Sequence, residues 1–153
     1  MIHHIPNVLT KEQVQYFRHE MDQVSWINGK VTAGTLSANV KQNQQLPEDH
    51  PLTQHLSTII LESLGQHPLF LSTAIPLDII PPLFNRYEQQ ESFGFIASFF
   101  WVQSMIRDEA NRHMLFNLDQ SIQNLRIELG DQHLEVMKLT NLYHNLMRKW
   151  AEL

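Results

Sequence analysis

The chain has 153 residues, a formal charge of −5, 42% hydrophobic and 18% charged residues, and no cysteine. That length suits one domain with a real core, and the lack of cysteine excludes disulfides, thiolate metal sites and a cysteine nucleophile. The acidic balance argues against nucleic-acid binding, which needs a basic surface to displace counterions from phosphates, and no stretch approaches the roughly 20 apolar residues of a membrane span.

The opening run MIHHIPNVLTKEQ carries a proline and polar residues where a signal peptide has its apolar core, so a cytoplasmic protein is expected. Thr10-Lys-Glu-Gln13 reads as a capping box. A helix should follow, with Val14, Phe17, Met21 and Val24 on one apolar stripe and an end before Asn28-Gly29. Val31 to Ser37 reads as a short extended segment and Lys41 to Gln45 as a loop. Asp49 is placed to cap a second helix, with Pro51 in its first turn, Leu52, Leu56, Ile60 and Leu64 on its buried face, and Gly65 as its stop. From Leu69 to Tyr87 the apolar sequence is punctuated by Pro68, Pro76, Pro81 and Pro82 and predicts short strands that end or bend at each proline. Phe95 to Ser104 predicts the clearest strand, apolar on both faces, with Trp101 in the core. The polar run Glu88 to Phe93 has hairpin length, so Leu83 to Tyr87 can pair with it.

The last third changes period. Leu115, Leu118, Ile122, Leu125 and Leu129 keep three-four spacing, and Val136, Leu139, Tyr143, Leu146 and Trp150 repeat it. Gly130-Asp131 is a helix stop followed by a possible new cap, which predicts a helical hairpin.

Three stretches together resemble the bacterial PKHD-type (prolyl/lysyl-hydroxylase-type) iron(II)/2-oxoglutarate dioxygenases. The first is Ile5-Pro-Asn-Val-Leu-Thr with Val31-Thr-Ala-Gly34 and Asn43-Gln-Gln-Leu-Pro47. The second is Pro81-Pro-Leu-Phe-Asn-Arg-Tyr-Glu88 running on to Ser92-Phe-Gly94. The third is Ala97-Ser-Phe-Phe-Trp-Val-Gln-Ser104 with Arg107-Asp108, Leu115-Phe-Asn-Leu-Asp-Gln120 and the helical tail. The resemblance implies a double-stranded β-helix in which an H-x-D motif and a later histidine hold ferrous iron, an arginine anchors 2-oxoglutarate, and ascorbate supports turnover.

In that family H-x-D follows almost directly after the stretch matched by Ser92-Phe-Gly94-Phe95, whereas here Ile96-Ala97-Ser98 follows, resembling the last core strand. The chain thus passes from just before the first iron ligand to just after the cosubstrate arginine, omitting several tens of residues. A non-haem iron centre needs two imidazoles and a carboxylate on one face, yet no histidine lies between His67 and His113 and no basic residue between Arg86 and Arg107. No catalytic residue and no metal ligand is therefore assigned, and no cofactor is expected for this chain. By the same resemblance, Asn85 and Tyr87 are the remaining lining of the cosubstrate pocket.

The nine histidines offer no substitute set. His3-His4 reads as solvated terminus, and Glu109 with His113, one helical turn apart, as a solvent-facing pair. His133 and His144 stand about 16 Å apart along one helix at 1.5 Å per residue, while His19, His50, His55 and His67 read as polar surface. Neither a G-x-S-x-G elbow nor a P-loop is present. The expected architecture is α+β: two amino-terminal helices and a reduced antiparallel strand core over 1–104, then a helical hairpin over 105–153. The expected function is that of a PKHD-type family member without oxygenase activity. The alternative is a non-catalytic interaction protein whose helical tail pairs with another copy or with a full-length hydroxylase; homo-oligomers through helical or strand-edge surfaces are expected, with no nucleic-acid or membrane partner.

Overall fold

The computed structural model describes residues 2–29, 43–87 and 96–152, which fall into two compact units. A sheet unit comprises Pro6–Leu64 with Ile79–Trp101, and a helical unit comprises Met1–Ile5, Gly65–Asp78 and Val102–Leu153. The architecture is α+β, with a small antiparallel strand core and a carboxy-terminal helical hairpin. No helix among the described residues is long and apolar enough to cross a membrane.

In the sheet unit, α1 (Lys11–Asp22) starts at the predicted capping box: the Gln13 amide donates to Thr10 Oγ1 at 3.1 Å and the Thr10 amide to Gln13 Oε1 at 2.8 Å. It buries Phe17 and Met21, whereas Val14 of the predicted stripe stays exposed. The second helix, α2 (Pro51–Gly65), buries Leu56, Ile60 and Leu64 as its spacing requires. Its cap is His50 and not Asp49, because the Leu52 amide donates to His50 Nδ1 at 3.1 Å. Only the residue immediately before the first helical position can reach that orphaned N–H, and Asp49 lies one residue too early.

The described strands are β1 (Ile27–Asn28), β2 (Gln44–Gln45), β3 (Pro76–Ile79), β4 (Leu83–Arg86), β5 (Ile96–Phe99) and β6 (Val102–Ser104). One antiparallel sheet has the order β1-β2-β4-β5, and β3 pairs with β6. Leu83 to Arg86 does pair with the later run, in the register Leu83↔Phe99 to Arg86↔Ile96. The predicted strand Phe95 to Ser104 is two strands, however, interrupted at Phe100 and Trp101. Trp101 is 78% exposed and Phe99 52%, which overturns the expectation of a core tryptophan. Gln44 and Gln45, predicted as loop, form a strand between β1 and β4, and Gln45 is fully buried. The extended segment expected at Val31 to Ser37 and the connection Glu88 to Phe93 lie outside the described residues.

In the helical unit, Pro68–Ala74 is a short helix, α3, where strand was expected. Pro68 starts this helix instead of breaking a strand, since its missing N–H falls among donors that have no intrahelical acceptor. Ile75 ends α3 in the left-handed region at φ 43. That costs a β-branched residue roughly 1–2 kcal/mol, offset by burial in a cluster with Ile106 and Leu115. The long helices α4 (Glu109–Leu129) and α5 (Leu134–Trp150) form the predicted hairpin. Their stripes turn toward each other, with Leu115, Ile122 and Val136 buried and Tyr143, Leu146 and Trp150 packed against the cluster.

The new cap at the hairpin turn is His133, whose Nδ1 accepts from the Glu135 amide at 3.3 Å, while Asp131 pairs with Arg126 at 2.7 Å. His133→Ala is expected to cost about 1 kcal/mol by removing this acceptor, read as a lowered urea midpoint with an unchanged m-value. Burial pushes the Tyr143 phenol above its usual range, and the Asp119 carboxylate adds to the effect. The folded protein thus holds this proton more tightly than the unfolded chain does. The resulting stabilisation is complete below the ordinary phenol value of about 10 and is lost as pH rises through the folded-state value. Tyr143→Phe should therefore flatten the alkaline limb of the stability profile measured by urea unfolding; an unchanged limb would count against this assignment.

Candidate functional site

In the sheet unit, residues Asn43, Gln45 and Asn85 are buried and polar. The register Gln45↔Asn85 and Gln44↔Arg86, with the two-residue alternation of strands, puts Gln45 and Asn85 on one face and Gln44 and Arg86 on the other. Asn43 Nδ2 donates to Asn85 Oδ1 at 2.5 Å, and Asn43 Oδ1 receives no donor. Asn85 therefore lies in a cluster of amides. Tyr87 follows the end of β4 and is half-buried. Asn43 is the partner that sequence reasoning missed. It lies 42 residues away, and only the β2–β4 pairing brings it alongside.

The electrostatics of this face are weak. Amides offer donors and acceptors without net charge, and the nearest guanidinium in sequence, Arg86, is committed to the opposite face. Arg86 Nε and Nη2 both donate to Gln44 Oε1, and Arg86 Cζ stands 4.8 Å from the Trp26 ring centroid. None of Asn43, Gln45 and Asn85 carries a charge that would neutralise a dicarboxylate entering beside Asn85.

The histidines are dispersed into other roles. His50 and His133 accept backbone N–H groups at helix starts. The His3 ring lies 4.6 Å from Phe116 and the His55 ring 6.2 Å from Tyr16. His19, His113 and His144 are exposed, and Glu109 beside His113 is exposed as well. Among the described residues, which include all nine histidines, no three His, Cys, Asp or Glu side chains converge on a point that could hold a metal ion. The described residues do not fit a ferrous centre of two imidazoles and a carboxylate.

Comparison with known proteins bears on the lineage. The chain is 57% identical to a PKHD-type hydroxylase of Acinetobacter baumannii strain AYE, over an alignment of 227 residues that covers 100% of both chains. The chain belongs to the PKHD-type hydroxylase family. Further relatives of the same name are a protein of Acinetobacter baumannii strain SDF, 43% identical with complete coverage of both chains, and one of Burkholderia lata, 35% identical over 99% of this chain and 100% of the relative. The family description "PKHD-type hydroxylase C-terminal domain" matches residues 109–152, which are α4, α5 and the segment after them. An alignment of 227 positions that takes in both chains completely leaves 74 of them without a residue in this chain of 153. That size agrees with an omission of several tens of residues from a PKHD-type hydroxylase.

Proposed function

We propose that this PKHD-type family member does not carry out iron(II)/2-oxoglutarate oxygenation, and that the 74 positions without a residue include the H-x-D motif, the second histidine and the cosubstrate arginine. One observation carries the reading: all nine histidines lie among the described residues, and none of them joins a second imidazole and a carboxylate there. Asn85 and Tyr87 then remain as lining of a pocket that has lost its charged anchors. The test is anaerobic addition of ferrous iron and 2-oxoglutarate to the purified chain, with the strain AYE relative as the comparison. We expect no metal-to-ligand charge-transfer band and no succinate above the enzyme-free blank on admitting air with ascorbate. A band, or stoichiometric succinate, overturns the proposal.

A second reading is favoured by apolar side chains that the helical hairpin leaves outside its own interface: Ile127 is 85% and Leu134 62% exposed, and Met137 and Leu142 are nearly half exposed. In this reading the chain is a non-catalytic interaction protein that self-associates through its helices or through the β5 edge. Light scattering after size exclusion should then give a mass of at least twice 18.0 kDa. A monomer at high concentration counts against it.

A further inference from the structure

We propose that the cleft beside β5 is a binding site for a small organic cation, an ammonium or guanidinium group carried on an apolar body. The cleft lies within the sheet unit and has a volume of about 490 Å³, within the range of small-molecule sites. Ile80 and Pro82 line it, as do Phe99, Phe100 and Trp101 at the end of β5. Two of those rings are well exposed, Phe99 at 52% and Trp101 at 78%. Their π faces are therefore available to a ligand.

The polar groups of the cleft select among ligands. Along α2, the hydroxyls of Thr53, Ser57 and Thr58 are turned to backbone carbonyls, donating to Pro47 O at 2.7 Å, Pro82 O at 3.3 Å and Gln54 O at 3.0 Å. Those protons are already used. Among the described residues, Glu48 is the one ionisable side chain in the lining and no ion pair engages it. A carboxylate beside aromatic faces repels anions and attracts cations from both elements at once. The apolar walls disfavour a hydrated metal ion, whose shell they cannot replace. A weakly hydrated organic cation satisfies both conditions. The site shares no residue with the Asn43–Asn85 cluster and stands whether or not the chain oxidises anything.

The test uses the full chain, isotope-labelled, titrated with benzyltrimethylammonium chloride at ionic strength matched with sodium chloride and followed through the indole N–H resonances of its three tryptophans. The Trp101 resonance, assigned by its loss in Trp101→Leu, should shift saturably while those of Trp26 and Trp150 stay in place. Glu48→Gln should weaken binding by about fivefold or more. Glu48 and Trp101 are both exposed, so circular dichroism should show each variant folded. Sodium benzoate, with the same ring and the opposite charge, should leave Trp101 unmoved. The proposal is overturned by a shift that does not saturate, by equal affinity in Glu48→Gln, or by an equal response to benzoate. A Trp101 resonance that moves with protein concentration alone also overturns it, since a second copy would then occupy the cleft.

Discussion

Phe84→Ala lowers the unfolding free energy by about 3–5 kcal/mol, the largest single effect expected of a substitution in this chain. Phe84 is 1% exposed and lies in β4 between β2 and β5. Its ring meets Phe17 of α1 edge-on, with centroids 6.3 Å apart, so the side chain ties helix to sheet. Truncation removes the transfer free energy of a phenyl ring and leaves a void that two neighbouring strands cannot close without breaking their ladder. For a domain whose whole stability is about 5–15 kcal/mol, that loss is decisive. Urea unfolding followed by tryptophan fluorescence should move to lower denaturant by about 2 M at an ordinary m-value. A shift under about 0.5 M would mean that the β4–α1 contact contributes little.

The second large effect concerns the amide pair. Asn85→Leu leaves the Asn43 Nδ2 donor without its acceptor in a site where Asn43 is only 7% exposed. A buried donor stripped of its partner costs about 1–3 kcal/mol. Changing both residues to leucine removes the orphan together with its partner, so the double variant should regain most of that loss. The coupling is read from a double-mutant cycle in urea. If Asn43→Leu/Asn85→Leu is less stable than Asn85→Leu alone, the two amides are not a desolvated pair, and their burial needs another explanation. Recovery would mean that this polar pair adds little net stability.

The strongly periodic parts of the fold were legible. The capping box at Thr10, the apolar steps through Leu56, Ile60 and Leu64, and the paired stripes of α4 and α5 are local patterns, and each became the predicted helix. Failures occurred where identity and environment disagree. Gln44 and Gln45 read as loop because both are polar, yet the sheet places them between two strands. Pro68 read as a strand breaker because a proline at a helix start and one at a strand end look alike without neighbours. Trp101 read as core because its run is apolar on both faces, but the chain leaves the sheet at that point and the ring stays in solvent. Asn85 and Tyr87 were singled out by resemblance to a family motif, whereas only strand register brings Asn43 beside Asn85.

What the sequence by itself determined is the chemistry this chain can hold: no cysteine thiolate, no histidine between His67 and His113, and no basic residue between Arg86 and Arg107. Donor atoms are a matter of composition, and no folding supplies an imidazole that the chain does not encode. Which polar groups end up desolvated, and which aromatics stay in water, was decided by tertiary structure alone. Burial depends on what packs from distant parts of the chain, as Asn43 against Asn85 and Phe17 against Phe84 show, and no local pattern carries that information.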